Sequence, residues 1–318
     1  MGQLVEGKWQ TEPLTANQKD GAYKRATTSF RNWITPDGKS GFAPESGRYH
    51  LYVAWACPWA HRTLIYRALK QLQDHISVSI VDPLMLDNGW EFGDRKDCTN
   101  DTVLGKKYLY EIYTAADPNY TGRTSVPILW DKQAGTIVSN ESSEIIRMFN
   151  SAFNGLTGDT NDYYPEDLRP EVDMVNERVY QSLNNGVYKA GFARTQQAYE
   201  DAVYPLFETL DWLEGILAES RYVAGAQVTE ADWRLFPTLL RFDPVYVGHF
   251  KCNIRRLCDY PNLWGYTREL YQWPGIADTI NLAQTKLHYY GSHETVNPTR
   301  VVPAGPDIDF NTPHERGA

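Results

Sequence analysis

The sequence predicts an α+β protein of two domains, in which a mixed β-sheet flanked by helices is followed by an all-helical domain. The chain has 318 residues, and single hydrophobic cores usually stop growing near ~250 residues, so we expect a domain boundary. Strand-like apolar runs alternate with helical patterns up to about residue 160, and beyond it long helical patterns dominate. We therefore assign residues 1–160 to the first domain and residues 161–318 to the second.

The composition is that of a packed globular protein, and it argues against a nucleic-acid or membrane partner. Hydrophobic residues make up 42% of the chain and charged residues 22%, close to the globular average. The 31 Lys and Arg against 40 Asp and Glu give a net charge of −9, which disfavours binding through neutralised phosphates. No stretch approaches the ~18 apolar residues of a membrane span, and the N-terminus lacks a signal-peptide pattern. The cytoplasm is the expected location.

The first domain is predicted to open with a polar leader over residues 1–48, followed by a strand, a helix and a second strand. The leader is rich in Gly, Pro and Thr, so we expect it to run extended along the surface. A strand–helix–strand crossover places its two strands parallel in one sheet. The three segments are HLYVAW at 50–55, PWAHRTLIYRALKQL at 58–72 and HISVSIVDP at 75–83.

A polar insertion and a hairpin complete the first domain. In the insertion, over residues 85–122, KKYLYEIYTAAD has helical spacing at Leu109, Ile112 and Tyr113. The segment VPILWDKQAGTIVSN, at 126–140, contains two apolar runs joined by a glycine-containing turn, which is typical of a β-hairpin. The following segment, ESSEIIRMFNSAF, predicts a closing helix.

Three long segments with apolar residues three and four apart predict the helices of the second domain. The clearest helix start is VTEADW, in which Thr229 and Asp232 can form a capping box and Val228 can pack on Trp233. The tail after residue 290 is rich in Pro and Gly, and we expect it to be extended. The helical segments are LRPEVDMVNERVYQSLNN, TQQAYEDAVYPLFETLDWLEGILAES and EADWRLFPTLLRF.

Cys57 lies where the first strand ends and the first helix begins, with Pro58 in the first helical turn. The positive end of the helix dipole can lower a thiol pKa from about 8.5 into the ~3.5–7.5 range, so a thiolate is available at neutral pH. The alternative is an inert buried cysteine. The C-P-W-A motif lacks a second thiol, so a partner thiol must come from elsewhere. His61, one turn later, is a weaker candidate for a general base.

Two further segments can complete a peptide-binding site. The Val126–Pro127 bond can be cis, and a cis-proline at a strand start leaves the preceding backbone groups available for pairing with an extended peptide. Glu141 and Ser142 stand at a predicted helix N-terminus, where N–H groups and a hydroxyl can hold a carboxylate. An ordinary helix cap explains this second segment equally well. A nucleophilic thiol, a peptide-pairing edge and a carboxylate clamp are together what binding of glutathione requires.

The remaining cysteines and histidines offer weaker signals. The chain has four cysteines and no secretion signal, so reduced thiols are expected. For Cys252 and Cys258, with His249 nearby, the alternatives are a zinc site and loosely packed thiols; we favour the packed thiols and expect no metal. The spacing of two further histidines, His288 and His293, has no metal geometry, so packing or hydrogen-bonding roles are expected.

Several segments resemble a known family over nearly the whole chain. RYVAGAQVTEAD, at 221–232, is similar to the characteristic second-domain segment of the glutathione transferase superfamily, which has a thioredoxin-like domain followed by a helical one. The closer resemblance is to the glutathionyl-hydroquinone reductases, the Xi class. It is carried by FRNWITPDG, YHLYVAWACPWAHRTLI, DPLMLDNGW, VPILWDKQAGTIVSNESSEIIRMFN, NNGVYKAGFA, RFDPVYVGHFKCN and HYYGSHETVNPT.

The resemblance implies reduction of glutathionyl-hydroquinones to hydroquinones, with glutathione as co-substrate and glutathione disulfide as product. It assigns Cys57 as the nucleophile and Tyr188 and Tyr289 as catalytic tyrosines that face the hydroquinone, with Tyr290 as a lower-ranked third. Dimerisation is common in the superfamily, so a homodimer is expected. The residues implied for glutathione are Trp90, Arg123, Val126, Pro127, Glu141 and Ser142.

The chemistry of tyrosine fits the implied role, although other functions stay open. With a reference pKa near ~10, tyrosine stays protonated at neutral pH and can hydrogen-bond an oxygen on which charge develops. Packing in an aromatic-rich domain is the alternative for Tyr188 and Tyr289. Two other functions fit the same fold: an Omega-like thiol transferase or dehydroascorbate reductase, and a non-catalytic binding module.

Overall fold

The computed structural model describes residues 2–11, 20–25 and 27–317. These residues form two compact units. The first unit contains the described parts of 1–17 and 26–161 together with Ala283–His288, and the second contains the rest. The main division therefore falls between Asn161 and Asp162. Within the described residues, none of the helices is long and apolar enough to cross a membrane.

A four-stranded mixed sheet forms the centre of the first unit. A separate hairpin precedes it, made of β1, Gln3–Val5, and β2, Lys8–Gln10. In the sheet, the strand order is β4-β3-β5-β6, with β3 and β4 parallel and the β3–β5 and β5–β6 pairs antiparallel. The predicted mixed sheet is confirmed. Its strands are β3, Tyr49–Val53; β4, Ser77–Ile80; β5, Ile128–Asp131; and β6, Thr136–Ser139.

The sequence pattern explains how the helices of this unit pack. All five residues of β3 are buried, including the polar His50, because the strand lies between two others in the sheet. In α2, the buried residues are Leu109, Ile112 and Tyr113, which the spacing places on one face. The helices are α1, Pro58–Leu69; α2, Leu109–Ala116; α3, Ser142–Ser151; and the short α4, Asn154–Thr157.

The described leader is more ordered than the prediction of an extended surface segment. Leu4, in the hairpin, is fully buried, and its N–H and C=O pair with the backbone of Gly122 at 2.9 Å. Further on, Arg31 bridges to Ser139, so the leader pairs with β6, the edge strand of the sheet. This pairing protects an otherwise open edge. Sequence reasoning missed the hairpin because three-residue strands among polar residues show no clear alternation.

The second unit is helical, as predicted. Two π-helical turns, Tyr180–Asn184 and Phe242–Tyr246, interrupt the regular helices. Part of α11 belongs to the first unit. The helices are α5, Arg169–Val179; α6, Gly186–Gly191; α7, Gln196–Glu219; α8, Glu230–Arg241; α9, Val247–His249; α10, Pro261–Tyr271; and α11, Leu282–Ser292.

The predicted capping box at the start of α8 is confirmed. Asp232 accepts the N–H of Thr229 at 2.7 Å and the Thr229 hydroxyl at 3.0 Å. The same carboxylate accepts the N–H of Val223 at 3.1 Å and the hydroxyl of Tyr266 at 2.7 Å. Asp232 is fully buried. One carboxylate therefore connects the start of α8 to α10 and to the preceding loop, and the packing of Val228 on Trp233 stays a prediction.

Candidate active site

The thiol of Cys57 lies at the N-terminus of α1. Cys57 is the N-cap residue, with φ −75° and ψ 117°, and its sulfur accepts a hydrogen bond from the N–H of Ala60 at 3.5 Å. Its Sγ also lies 3.4 Å from the carbonyl oxygen of Val126. First-turn N–H groups and the positive end of the helix dipole favour a thiolate at such a position. The helix N-terminus is thus a position that suits the predicted nucleophilic role of Cys57, and the role itself stays a prediction.

The backbone beside this thiol belongs to the loop that leads into β5. The Val126–Pro127 peptide bond is cis, as the sequence allows, and both residues are buried. The preceding residue, Ser125, is held by Tyr113, whose hydroxyl donates to the Ser125 carbonyl at 2.8 Å and accepts its N–H at 3.1 Å. Burial raises the pKa of Tyr113 to about 12, so this hydroxyl stays protonated. The helix α2 thus positions the loop against Cys57.

Glu141 and Ser142 lie at the start of α3, where the sequence predicts them. Glu141 is the N-cap residue, and its carboxylate accepts the N–H of Ser143 at 3.1 Å, the Ser143 hydroxyl at 2.8 Å and the Thr28 hydroxyl at 3.2 Å. Burial alone would raise the pKa of Glu141, but these hydrogen bonds and the charge of Arg62 lower it. The ordinary helix cap is therefore present. Ser142 is the first helical residue, so its N–H lacks an intrahelical partner.

Arg62 is a residue of this region that sequence reasoning missed. It is only 2% exposed, and its guanidinium carbon lies 4.6 Å from the ring centroid of Trp59. Its positive charge is one of the causes of the lowered pKa of Glu141. Arginine is mostly found at the protein surface, so its position in a helical pattern did not predict that Arg62 is buried. The available signal was the apolar sequence around it, one helical turn after Cys57.

Trp90 and Arg123, the other residues implied for glutathione, are held by contacts within the first unit. Trp90 is buried and stacks on His288, with ring centroids 4.7 Å apart and an interplanar angle of 19°. The imidazole Nδ1 of His288 lies 2.7 Å from the carbonyl oxygen of Pro83. Arg123 is half-buried, and its carbonyl accepts the hydroxyl of Tyr120 at 3.3 Å. These contacts hold the ring of Trp90 and the backbone of Arg123, and the roles of the two side chains toward glutathione stay predictions.

In the second unit, the hydroxyls of Tyr188 and Tyr289 meet at 2.6 Å. A third tyrosine, Tyr246, has its hydroxyl 3.3 Å from that of Tyr289. Tyr289 is 1% exposed, whereas Tyr188 is half-buried. Burial, together with the two neighbouring tyrosines, raises the pKa of Tyr289 well above its ordinary value. Tyr289 is therefore a protonated, enclosed partner for the more accessible Tyr188. Sequence reasoning missed Tyr246.

Local packing fixes the ring of Tyr188. The guanidinium carbon of Arg25 lies 5.2 Å from its ring centroid, and Arg25 Nε donates to the side-chain oxygen of Asn185 at 2.8 Å. Gly191 ends the same helix, and a Cβ there would lie 2.0 Å from the ring of Phe250, so only glycine allows this packing. One π-helical turn precedes α6, and the other contains Tyr246. Such turns occur frequently at functional sites.

Tyr290, the lower-ranked of the residues predicted to bind hydroquinone, lies apart from the hydrogen-bonded hydroxyls of Tyr188 and Tyr289. Its ring packs edge-on against His249, with centroids 4.8 Å apart. Gly248 passes so close that a Cβ there would lie 2.8 Å from the Tyr290 hydroxyl. Tyr290 lines a cleft that Tyr188 and Tyr289 do not line. Its role toward hydroquinone stays a prediction.

Comparison with protein-family models divides the chain as the fold does. Residues 56–152 match the glutathione S-transferase N-terminal domain, and residues 196–269 match the glutathione S-transferase C-terminal domain. The first match contains Cys57 and the start of α3. The second contains the capping box of α8.

Two curated relatives match almost the full chain. The glutathionyl-hydroquinone reductase YqjG of Escherichia coli (strain K12) is 52% identical over 99% of this chain and 98% of its own length. The glutathionyl-hydroquinone reductase PcpF of Sphingobium chlorophenolicum is 53% identical over 96% of each chain. The chain belongs to the glutathionyl-hydroquinone reductase family, the Xi-class glutathione transferases.

Solved structures of this class share the fold of the chain. The Xi-class transferase of Natrialba magadii has a TM-score of 0.93 and 48% identity, over 99% of this chain and 96% of that one. The glutathione-bound structure of YqjG has a TM-score of 0.92 and 52% identity, over 99% of each chain. Relatives of this Xi-class transferase have therefore been seen with glutathione.

The other thiols of this Xi-class transferase have environments unlike that of Cys57. Burial raises the pKa values of Cys98 and Cys252, and it raises the pKa of Cys258 to about 11, so these thiols are protonated at neutral pH. Among the described residues, no group of three or more His, Cys, Asp or Glu could hold a metal ion. The His249 ring nitrogen Nε2 lies 3.0 Å from Nδ1 of His293.

Proposed function

We propose that this chain reduces glutathionyl-hydroquinones to hydroquinones, using glutathione and a mixed disulfide on Cys57. The observation that carries the proposal is the position of the Cys57 sulfur, at the N-cap of α1 and 3.4 Å from the Val126 carbonyl. The two curated relatives named glutathionyl-hydroquinone reductase, at 52% and 53% identity, support the substrate class.

In the first step, the Cys57 thiolate attacks the sulfur of the glutathionyl thioether. The carbon–sulfur bond breaks, a sulfur–sulfur bond forms, and the departing aromatic carbon takes up one proton, which the tyrosine acid described below supplies by way of the substrate oxygen. The hydroquinone is thereby released in reduced form, and glutathione stays on the enzyme as a mixed disulfide. A carbon leaving group is poor, so this step needs a proton donor and stabilisation of charge on the substrate oxygen.

In the second step, the thiolate of a second glutathione attacks the mixed disulfide. This is an ordinary thiol–disulfide exchange that yields glutathione disulfide and restores the Cys57 thiolate. The two electrons that reduce the substrate thus come from two glutathione sulfurs, the thioether sulfur of the substrate and the thiol of one added glutathione. No metal is needed in either step.

Tyr188 is the proposed donor to the hydroquinone oxygen, and Tyr289 its positioning partner. Tyr188 is half-buried and can meet a substrate, whereas Tyr289 is 1% exposed and hydrogen-bonded to Tyr188. Because the pKa of Tyr289 is raised by burial, it retains its proton and can donate to the Tyr188 oxygen. That donation stabilises negative charge on Tyr188 as it gives up a proton.

The proposed glutathione residues divide by the part of the tripeptide that they hold. The backbone of Val126, fixed by Pro127, is proposed to pair with the peptide next to Cys57. The first N–H groups of α3 and the Ser142 hydroxyl are proposed to hold a carboxylate. Trp90 and Arg123 complete the proposed set. Glu141, which is ionised and hydrogen-bonded at the N-cap, is suited to accept from the glutathione amine.

The proposal is tested by single turnover of a glutathionyl-hydroquinone without added glutathione, followed by intact-protein and peptide mass spectrometry. Wild-type enzyme is expected to carry one glutathione on Cys57 and to release one equivalent of hydroquinone. Cys57→Ser is expected to lose this activity by at least about 10³-fold, because an alcohol does not ionise at neutral pH.

Cys98→Ser is the matched control, since Cys98 is in the same unit and burial raises its pKa. It should turn over like the wild type. The proposal is wrong if Cys57→Ser keeps its activity or if glutathione is found on another residue. A wild-type protein that binds glutathione but releases no hydroquinone would instead be the non-catalytic module.

An Omega-like thiol transferase is the second candidate, because a relative named glutathione S-transferase omega-like 2, from Schizosaccharomyces pombe, is 48% identical over 91% of this chain. It would use the same Cys57 mixed disulfide, but with dehydroascorbate or a protein disulfide as the oxidant. Turnover of dehydroascorbate faster than turnover of the thioether would favour this candidate.

We further infer that the protein works in the cytoplasm as a homodimer, with neither nucleic acid nor membrane as a partner. The net charge of −9 supports the absence of a nucleic-acid partner. The reducing cytoplasm supplies the glutathione that the second step consumes.

A further inference from the structure

The helical unit contains a cleft of about 460 Å³ that the proposed function does not use. Its walls come from the region of α9, from α10 and from the C-terminal segment over residues 303–312. Pockets of ~300–1,000 Å³ are typical of small-molecule sites. The lining residues that matter here are Asp243, Arg256, Trp264, Arg268, Tyr290 and Ile308.

Arg268, on α10, is a buried cation to which the described part of the chain offers no anionic partner. It is 8% exposed, and its Nε atom is inaccessible and lacks a hydrogen-bond acceptor. Within the described residues its side chain makes one cation–π contact, in which the guanidinium carbon lies 5.6 Å from the ring centroid of Trp264. A buried charge that nothing pairs destabilises a fold. Its position in a cleft therefore points to an anion from outside the chain.

The other charges of the cleft do not neutralise Arg268. The carboxylate of Asp243 is engaged by the backbone, since its oxygens accept the N–H groups of Leu257 at 2.5 Å and Cys258 at 3.1 Å. Arg256 is paired with a carboxylate of its own, that of Asp259 at 2.7 Å.

The C-terminal side of the cleft carries two exposed carboxylates, Asp307 and Asp309. These groups repel an anion at that edge. An anionic group that enters is therefore directed toward Arg268, the buried end of the site. The guanidinium offers planar, paired donors that match a carboxylate.

We propose that this cleft binds a small aromatic carboxylate, with the carboxylate on Arg268 and the ring against Trp264 and Tyr290. The planar guanidinium of arginine presents its donors in a rigid fork, so less freedom is lost for each hydrogen bond that it forms with a carboxylate. Aromatic and apolar walls, including Ile308, exclude water from the ligand ring.

The proposal is tested by isothermal titration of the full chain with benzoate and with benzamide, which has the same ring but no charge. Benzoate is expected to bind, and benzamide to bind at least about tenfold more weakly, because charge-assisted hydrogen bonds are lost. Arg268→Met should weaken benzoate binding by at least about tenfold and leave benzamide binding unchanged. Arg255→Met is the control, because Arg255 is exposed, pairs with Asp211 at 3.1 Å and does not line the cleft.

Thermal unfolding distinguishes this role from a structural one. If Arg268 serves a ligand, Arg268→Met removes an unpaired buried charge, and the ligand-free variant should unfold at the same or a higher temperature than the wild type. Arg268→Lys keeps the charge but not the paired donors, so it should weaken benzoate binding without a loss of thermal stability. Equal affinity for benzoate and benzamide, unchanged benzoate binding by both variants, or a lower unfolding temperature for Arg268→Met would each overturn the proposal.

Discussion

A thiol at a helix N-cap lies next to the first-turn N–H groups and the positive end of the helix dipole, which favour its thiolate form. Cys57 has this position, with the N–H of Ala60 at 3.5 Å from its sulfur. The other three thiols have pKa values raised by burial. The position at a helix N-terminus therefore distinguishes the proposed nucleophile from the other three cysteines. Tyr188 and Tyr289 differ in burial. Tyr188 is half-buried and is the proposed contact of the substrate, whereas burial raises the pKa of Tyr289 and keeps it protonated.

The two chemical steps make different demands on Tyr188. Tyr188→Phe is expected to slow reduction of the thioether by about 10²-fold, the usual contribution of a proton donor. Exchange of glutathione with a preformed Cys57 mixed disulfide should stay within about twofold, because a sulfur leaving group needs no such help. Stopped-flow measurement of each half-reaction tests this split. Tyr204→Phe, at a 55% exposed position, is the control. Equal losses in both half-reactions would contradict the role.

At the scale of elements, helix N-termini carry proposed site residues in the first unit and a stabilising cap in the second. The start of α1 carries Cys57, the start of α3 carries Glu141 and Ser142, and the start of α8 is closed by Asp232. The first two are the proposed sites of ligand binding, whereas Asp232 is fully buried and saturated with hydrogen bonds. The same local motif is thus proposed to bind a ligand at α1 and α3, and it stabilises the fold at α8.

Enclosure predicts how strongly each cap stabilises the fold. Asp232→Ala should lower the free energy of unfolding by about 3 kcal/mol or more, because the buried donors of Val223 and Tyr266 lose their acceptor. Thr195→Ala removes the exposed cap of α7, where Thr195 accepts the N–H of Ala198 at 3.2 Å, and should cost about 1 kcal/mol. Urea unfolding midpoints measure both. A loss for Asp232→Ala no larger than that for Thr195→Ala would contradict this account.

At the scale of the whole molecule, two units of different architecture carry different parts of the proposed chemistry. The thiol and the peptide-pairing edge belong to the unit with the sheet, and the tyrosine hydroxyls belong to the helical unit. The helical unit also exposes large apolar side chains, among them Ile254 at 53% and Val301 at 68%. Burial of such exposed apolar side chains between two chains favours association.

The proposed homodimer should appear in size-exclusion chromatography with light scattering as twice the chain mass of 36.4 kDa. Ile254→Lys places a charge in the segment that follows RFDPVYVGHFKCN, and it should shift the mass toward a single chain. Met174→Lys, at a 55% exposed position on α5, is the control and should leave the dimer intact. A wild-type mass of one chain, or equal effects of the two variants, would contradict the proposed state.

The sequence by itself determined the features that depend on neighbouring residues. Strand and helix periodicity, the N-cap position of Cys57 and the Thr229–Asp232 capping box all follow from spacings of a few residues, whereas at Pro127 the sequence only allowed the cis bond. Such local preferences act before any tertiary contact forms. The family resemblance added the residues for glutathione and hydroquinone, which no periodicity reveals.

Only the tertiary structure decided which distant groups share an environment. The hairpin at β1 and β2 forms against Gly122, and the charge of Arg62 reaches Glu141. The burial of Arg268 likewise depends on its packing in the folded helical unit. These outcomes depend on burial and on electrostatic contacts between residues far apart in the chain, and the free energies of such contacts are properties of the packed state.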